Sequence, residues 1–171
     1  MTEFRLTRTA GEPAGETWRR VTDWRAHAKG VPLTAVTSMT GGPTRVGTVF
    51  VVRSGLGRIG FDDPMEIVRW DPPAAPQEAG EAGEGGDAAE GAAGSAGTGR
   101  CRMEKRGRVI TGWAEIEVRP HGRGSLVIWV EELRIRPLPR FLDPLVARVG
   151  RIVFGRALDG LLRGGETGVR R

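Results

Sequence analysis

The sequence is poor in the residues that most often carry chemistry. Its 171 residues include one cysteine, Cys101, and two histidines, His27 and His121. A lone cysteine excludes an intrachain disulfide and suits a reducing compartment. Cys101 lies in "RCRMEK" with no Cys or His beside it, so it reads as a structural thiol rather than a nucleophile. Two separated histidines and one cysteine do not make a zinc ligand set, and no metal is expected. None of Ser38, Ser54, Ser95 and Ser125 sits in a G-x-S-x-G context or beside a histidine, which argues against a serine hydrolase. No stretch approaches the roughly 18–20 apolar residues of a membrane span. The opening "MTEFRLTRT" lacks the apolar run of a signal peptide, so the expected location is cytoplasmic.

What is abundant is arginine, glycine and alanine. Net charge is +5, and Lys29 and Lys105 are the only lysines among 26 basic residues. The stretch from Pro72 to Gly99 contains no Val, Ile, Leu, Met or aromatic residue. With almost nothing to bury, it is predicted to be a disordered low-complexity insertion at about 72–99 within one domain spanning 1–171. It holds five acids and no base, which leaves +10 on the remainder. Those bases are spread over every element with no run longer than two, and no helix-turn-helix, zinc or RNP pattern accompanies them. No specific nucleic-acid partner is expected; a weak attraction to anionic surfaces is.

Periodicity gives the order of elements. A first short strand holds Phe4 and Leu6, followed by a helix in "PAGETWRRVTDW" with Trp18 and Val21 at helical spacing, and a second short helix around "DWRAHAKG". Strands follow at 33–39, 47–53, 60–70, 100–109, 111–119 and 124–136. All but one of their connections are short enough for antiparallel neighbours. From Pro139 to Arg163 apolar residues return every three or four positions, the stripe of an amphipathic helix about 30 Å long. This is an α+β order: a sheet with one apolar face covered by a helix. A curved sheet gripping a helix leaves space for a small ligand between the two.

"SGLGRIGFDDPMEIVRW", residues 54–70, matches G-x-G-x-x-G at Gly55, Gly57 and Gly60. Phosphate binding needs a helix after the glycines, whose free N–H groups hold the anion. Here Asp62, Asp63 and Pro64 come next, and "MEIVRW" alternates like a strand. The glycines therefore mark a hairpin; no dinucleotide site and no cofactor are expected. Asp62 and Asp63 read as a turn with solvated carboxylates rather than an acid/base pair or cation site, since adjacent strand residues face opposite ways. Arg53 and Arg69 are expected to pair with nearby acids. "WAEIEV" and "IWVEEL" place Trp113, Glu115 and Glu117 on one face and Trp129, Glu131 and Leu133 on another. If these faces were concave, a buried Glu131 or Glu115 would have a raised pKa and serve as acid or base. The favoured core set is the other one: Ala114, Ile116, Val118, Leu126, Ile128 and Val130. A one-residue slip inverts the choice.

"ETWRRVTDWRAHAKGVPLTAVT", "GTVFVVRSGLGRIGFDDPMEIVRWDPP", "GRVITGWAEIEVRP", "VIWVEEL" and the C-terminal helix together resemble the SRPBCC superfamily of START-like, polyketide cyclase/dehydrase-like proteins. The resemblance implies a helix-grip fold: a curved antiparallel sheet of about six to seven strands wrapped around a long C-terminal helix, with two short helices after the first strand. It implies a cavity for a hydrophobic or amphipathic small molecule, lipid or polyketide-like. Phe50, Val52, Met65, Ile67, Trp129, Leu145, Val149 and Ile152 are its candidate lining. The alternative it implies is a cyclase or dehydratase with a pocket carboxylate, Glu131 or Glu115, as general base. The superfamily has no universal catalytic motif to carry over, and the 72–99 insertion departs from the short turn usual there.

Overall fold

The computed structural model describes residues 2–26, 31, 33–56, 59–74, 97–136 and 138–163. Most of the low-complexity insertion and His27 lie outside that set. Seven strands form one antiparallel sheet: β1 (Thr2–Ala10), β2 (Thr34–Met39), β3 (Val49–Leu56), β4 (Ile59–Asp71), β5 (Gly99–Arg106), β6 (Ile110–His121) and β7 (Gly124–Ile135). Their spatial order is β1-β7-β6-β5-β4-β3-β2, so all but one sequence neighbour pair directly and the first strand closes against the last. Register shifts between Val36 and Ser38 and between Ile67 and Arg69 mark bulges, which bend and twist a strand locally. Helix α1 (Ala14–Val21) follows β1, residues 24–26 are helical, and α2 (Asp143–Arg163) follows β7 through a 3-10 turn at Arg140–Leu142. The helix-grip order read from the sequence is the order observed.

The glycine stretch is a hairpin. β3 and β4 pair down to Gly55↔Gly60 and Leu56↔Ile59, with no helix behind the glycines. Gly55 has φ 144°, a region that side-chain-bearing residues avoid. None of the described residues there presents a helix N-terminus to a phosphate.

Helix α1 buries Ala14, Thr17, Trp18 and Val21, the i, i+3, i+4, i+7 face that helical spacing predicts. Ser125 of β7 donates to the Thr17 hydroxyl at 2.8 Å, fixing α1 on the sheet without an orphaned polar group. Trp18 packs on Trp70 and Trp24 stacks on Phe50, with ring centroids 5.0 and 5.2 Å apart. At the other end α2 crosses β1. A methyl group on Gly150 would stand 2.7 Å from the Phe4 ring, so glycine allows this close approach. Phe154 continues the contact, 5.7 Å from Phe4 and 5.8 Å from Trp129, and Arg8 pairs with Asp159 at 2.6 Å.

The facing of β6 and β7 divides the expectation. In β6 Ala114, Ile116 and Val118 are buried, as favoured. In β7 the inward residues are Ser125, Val127, Trp129, Glu131 and Leu133, the opposite phase from Leu126, Ile128 and Val130. The register explains this: Ala114 pairs with Glu131 and Ile116 with Trp129, so even residues of β6 share a face with odd residues of β7. The "LVIWV" run is apolar on both faces and alternation alone leaves its phase open. Trp113 and Trp129 therefore lie on opposite faces, and Trp113 is covered outside by Arg102, whose guanidinium sits 4.0 Å above the ring.

Candidate functional site

Between the concave face of the sheet and α2 lies a cavity of about 450 Å³. Its wall is overwhelmingly apolar and includes Phe50, Val52, Met65 and Trp129 from the strands, with Leu145 and Val149 from α2. Two of the expected lining residues are elsewhere. Ile67 is fully buried in the solid core, two residues past Met65 on the same face. Ile152 is 48% exposed on the outer surface of α2. Apolar residues occur nearly all round this helix between 142 and 153, so spacing does not reveal which edge meets the sheet; Val146, Gly150 and Phe154 do.

Three ionisable side chains stand in this apolar wall: Asp63 of β4, Lys105 of β5 and Glu131 of β7. Register brings them together. Lys105 pairs with Met65, two residues beyond Asp63, and across β6 the facing positions are Gly112 and Ala114. These two have no bulk, so the Lys105 and Glu131 side chains meet above β6. Lys105 Nζ lies 3.1 Å from Glu131 Oε1 and 4.0 Å from Asp63 Oδ2, with side-chain exposures of 4%, 0% and 4% respectively. The ammonium donates to Met65 Sδ at 4.0 Å and stands 5.8 Å from the Phe154 ring centroid. Trp129 Nε1 donates to Glu131 Oε2 at 3.0 Å, an i, i+2 pair on one face of β7. The Lys105 contact to Oε1 is an ion pair without hydrogen-bond alignment. Oε1 of Glu131 and Oδ1 of Asp63 are thus buried with no hydrogen-bond partner among the described residues.

Burial pushes the Asp63 carboxyl up to about 6; the Lys105 ammonium acts against this and the Glu131 charge adds to it. Its Oδ1 lies under the β5–β6 turn, where a methyl group on Gly107 would come within 2.6 Å of it. The arrangement is one cation between two carboxylates in a low-dielectric hollow. It can present an ammonium donor to a ligand oxygen and, near neutral pH, exchange a proton at Asp63.

Glu115 is on the outer face of β6, paired with Arg102 at 3.2 Å, and is no part of the cavity; its neighbours in the ladder, Ala114 and Ile116, take the inward positions. Asp62 points outward to Arg53 at 3.1 Å and Arg69 pairs with Asp71 at 2.6 Å, both as expected of surface charges. Asp63 overturns the solvated-turn reading, because β4 runs unbroken through Asp62-Asp63-Pro64 and its inward phase includes Asp63. Cys101 is fully buried, and burial holds its thiol up at about 12, so it is unreactive near neutral pH. No cluster of metal-ligating residues occurs among the described residues.

Lys105 is a site residue that the sequence reading does not single out, though it carries a signal. Cys101, Met103 and Lys105 alternate on one strand face, and a lysine in a chain that uses arginine almost everywhere is unusual. Asp63 shares the phase of Met65 and Ile67 in the same way.

No protein-family model and no curated protein matches this sequence. Solved structures do. A protein of Thermus thermophilus aligns over 94% of each chain with a TM-score of 0.62 and 16% identity. The Zhui aromatase/cyclase of a Streptomyces species aligns over 98% of this chain and 95% of its own, with a TM-score of 0.59 and 13% identity. Norcoclaurine synthase of Thalictrum flavum, solved with dopamine and hydroxybenzaldehyde, aligns over 99% and 89% with a TM-score of 0.56 and 13% identity. At these identities the likeness is one of fold, and the chain carries the same helix-grip fold as these structures.

Proposed function

We propose that the protein binds a hydrophobic or amphipathic small molecule, lipid or polyketide-like, in the cavity between its sheet and α2. The observation that carries this reading is an apolar hollow of about 450 Å³ with Asp63, Lys105 and Glu131 grouped in its wall. Apolar wall supplies affinity through burial, and few convergent polar groups supply orientation. A ligand oxygen is the natural partner of the Lys105 ammonium. A buried, unreactive Cys101 suits the cytoplasmic location expected from the sequence.

The test is a titration with a panel of fluorescent lipids and aromatic polyketides, read also through the emission of Trp24 and Trp129, both in the cavity wall. Saturable binding with a tryptophan response supports the reading. Failure of every probe to saturate would overturn it.

A second reading has its own observation. Asp63, held near 6, is poised as a general base, and the Lys105 ammonium can stabilise an enolate oxygen, as a cyclase or dehydratase requires. Turnover would then rise with pH through about 6 as Asp63 ionises, and Asp63→Asn would abolish it while leaving binding intact.

A further inference from the structure

The outward face of α2 and the turn before it carries large apolar side chains in water. Phe141 is 79% exposed, Leu145 57%, Val149 50% and Ile152 48%. They recur at four- and three-residue steps and make one stripe along the helix. Isolated exposed apolar residues need no explanation, but a continuous stripe on a helix face does. Arg140, Arg148, Arg151 and Arg156 stand on or beside the stripe, all exposed and without an ion-pair partner among the described residues. The acids of α2 do not offset them: Asp143 lies at its first residue and Asp159 is bound to Arg8.

We propose that this face docks on an anionic lipid bilayer, α2 lying in the plane of the surface. The helix is not long and apolar enough to cross a membrane, and an apolar stripe flanked by arginines is what an interfacial helix presents. Charge decides among the occupants. A second copy related by two-fold symmetry would set these unpaired arginines against one another. An anionic lipid surface meets both features, with head groups for the arginines and acyl boundary for the stripe. The cavity adds continuity: Leu145 and Val149 belong to the stripe and to the cavity wall. Docking would place the cavity's α2 side against the lipid.

Vesicle sedimentation tests this. The full chain is mixed with vesicles of phosphatidylcholine alone or with phosphatidylglycerol at about three to one. Expected is binding to the anionic vesicles only, weakened by high salt. Arg148→Gln, Arg151→Gln and Arg156→Gln should each weaken it about fivefold, the three together about a hundredfold. Phe141→Asp with Ile152→Asp, neither in the cavity wall, should abolish it while thermal melts stay unchanged. Binding to neither vesicle overturns the proposal, as does equal binding to both with no loss in the arginine variants. Concentration-dependent dimerisation abolished by Phe141→Asp, without vesicle binding, overturns it in favour of a second copy. None of these readouts needs a ligand in the cavity, so failure here leaves the small-molecule reading standing.

Discussion

Replacing Lys105 by methionine keeps the length and apolar stem of the side chain and deletes only the ammonium. Two carboxylates, Glu131 at 0% and Asp63 at 3% exposure, then lose the cation that lies 3.1 and 4.0 Å away. Removing one partner of a buried ion pair costs about 3–5 kcal/mol, because the charge left behind has neither water nor counterion. For a chain of this size that corresponds to a fall in Tm of roughly 10 °C. The control is Arg106→Met, the next residue of β5. Its guanidinium is exposed and pairs with Glu66 at 2.9 Å and Glu104 at 3.0 Å, a surface arrangement that contributes about 0–1 kcal/mol. Urea denaturation at about pH 7.5 compares the two, above the Asp63 titration near 6. The Lys105→Met loss should shrink at about pH 5, since Asp63 takes up a proton more readily still once the ammonium that lowers its pKa is gone. Adding Glu131→Leu should recover part of it, because the orphaned charge is removed as well. Equal costs for Lys105→Met and Arg106→Met, with no dependence on pH, would refute the buried-cluster account.

Asp63→Asn should change the pH dependence of stability. The folded carboxyl titrates near 6 and the ordinary value is 3.8, so the native state binds this proton more tightly. The resulting stabilisation is complete below about pH 4 and lost as pH rises through 6. Relative to Asp63→Asn, the natural chain should therefore lose about 3 kcal/mol over that interval, measured by denaturation at a series of pH values. Glu131→Gln should alter probe binding in the cavity, whereas Glu115→Gln on the outer face should leave the fluorescence titration unchanged. Gly150→Ala should cost about 1–3 kcal/mol in thermal denaturation, as its methyl would press on the Phe4 ring.

Strand and helix periods carry most of this fold. The order of elements, the hairpin at the glycines and the inward placement of Phe50, Val52 and Met65 all follow from alternation along strands with one apolar face. Where that contrast fades, the sequence loses resolution. β7 lies between β1 and β6, is apolar on both sides through "LVIWV", and even its outward Ile128 is only 8% exposed. Phase there is set by pairing with β6, which a single strand does not display. The same holds for α2, whose apolar belt is wide enough to supply both an inner face and an exposed stripe. The ionic cluster is hidden for a different reason: charged residues are expected outside, so Asp63 and Lys105 escape notice although their strand phase puts them within. Partners on three strands, joined only by register across Gly112 and Ala114, are not visible to a local pattern.

A hollow of about 450 Å³ sets heat resistance against the proposed binding in this chain. Val52 lines it, and one added methylene there, as in Val52→Ile, would gain about 0.8 kcal/mol by burial. Val52→Ile is thus a variant that a screen for thermal hardiness would keep and a screen for binding would discard. Long survival of valine at that spot would mean that emptiness itself is under selection.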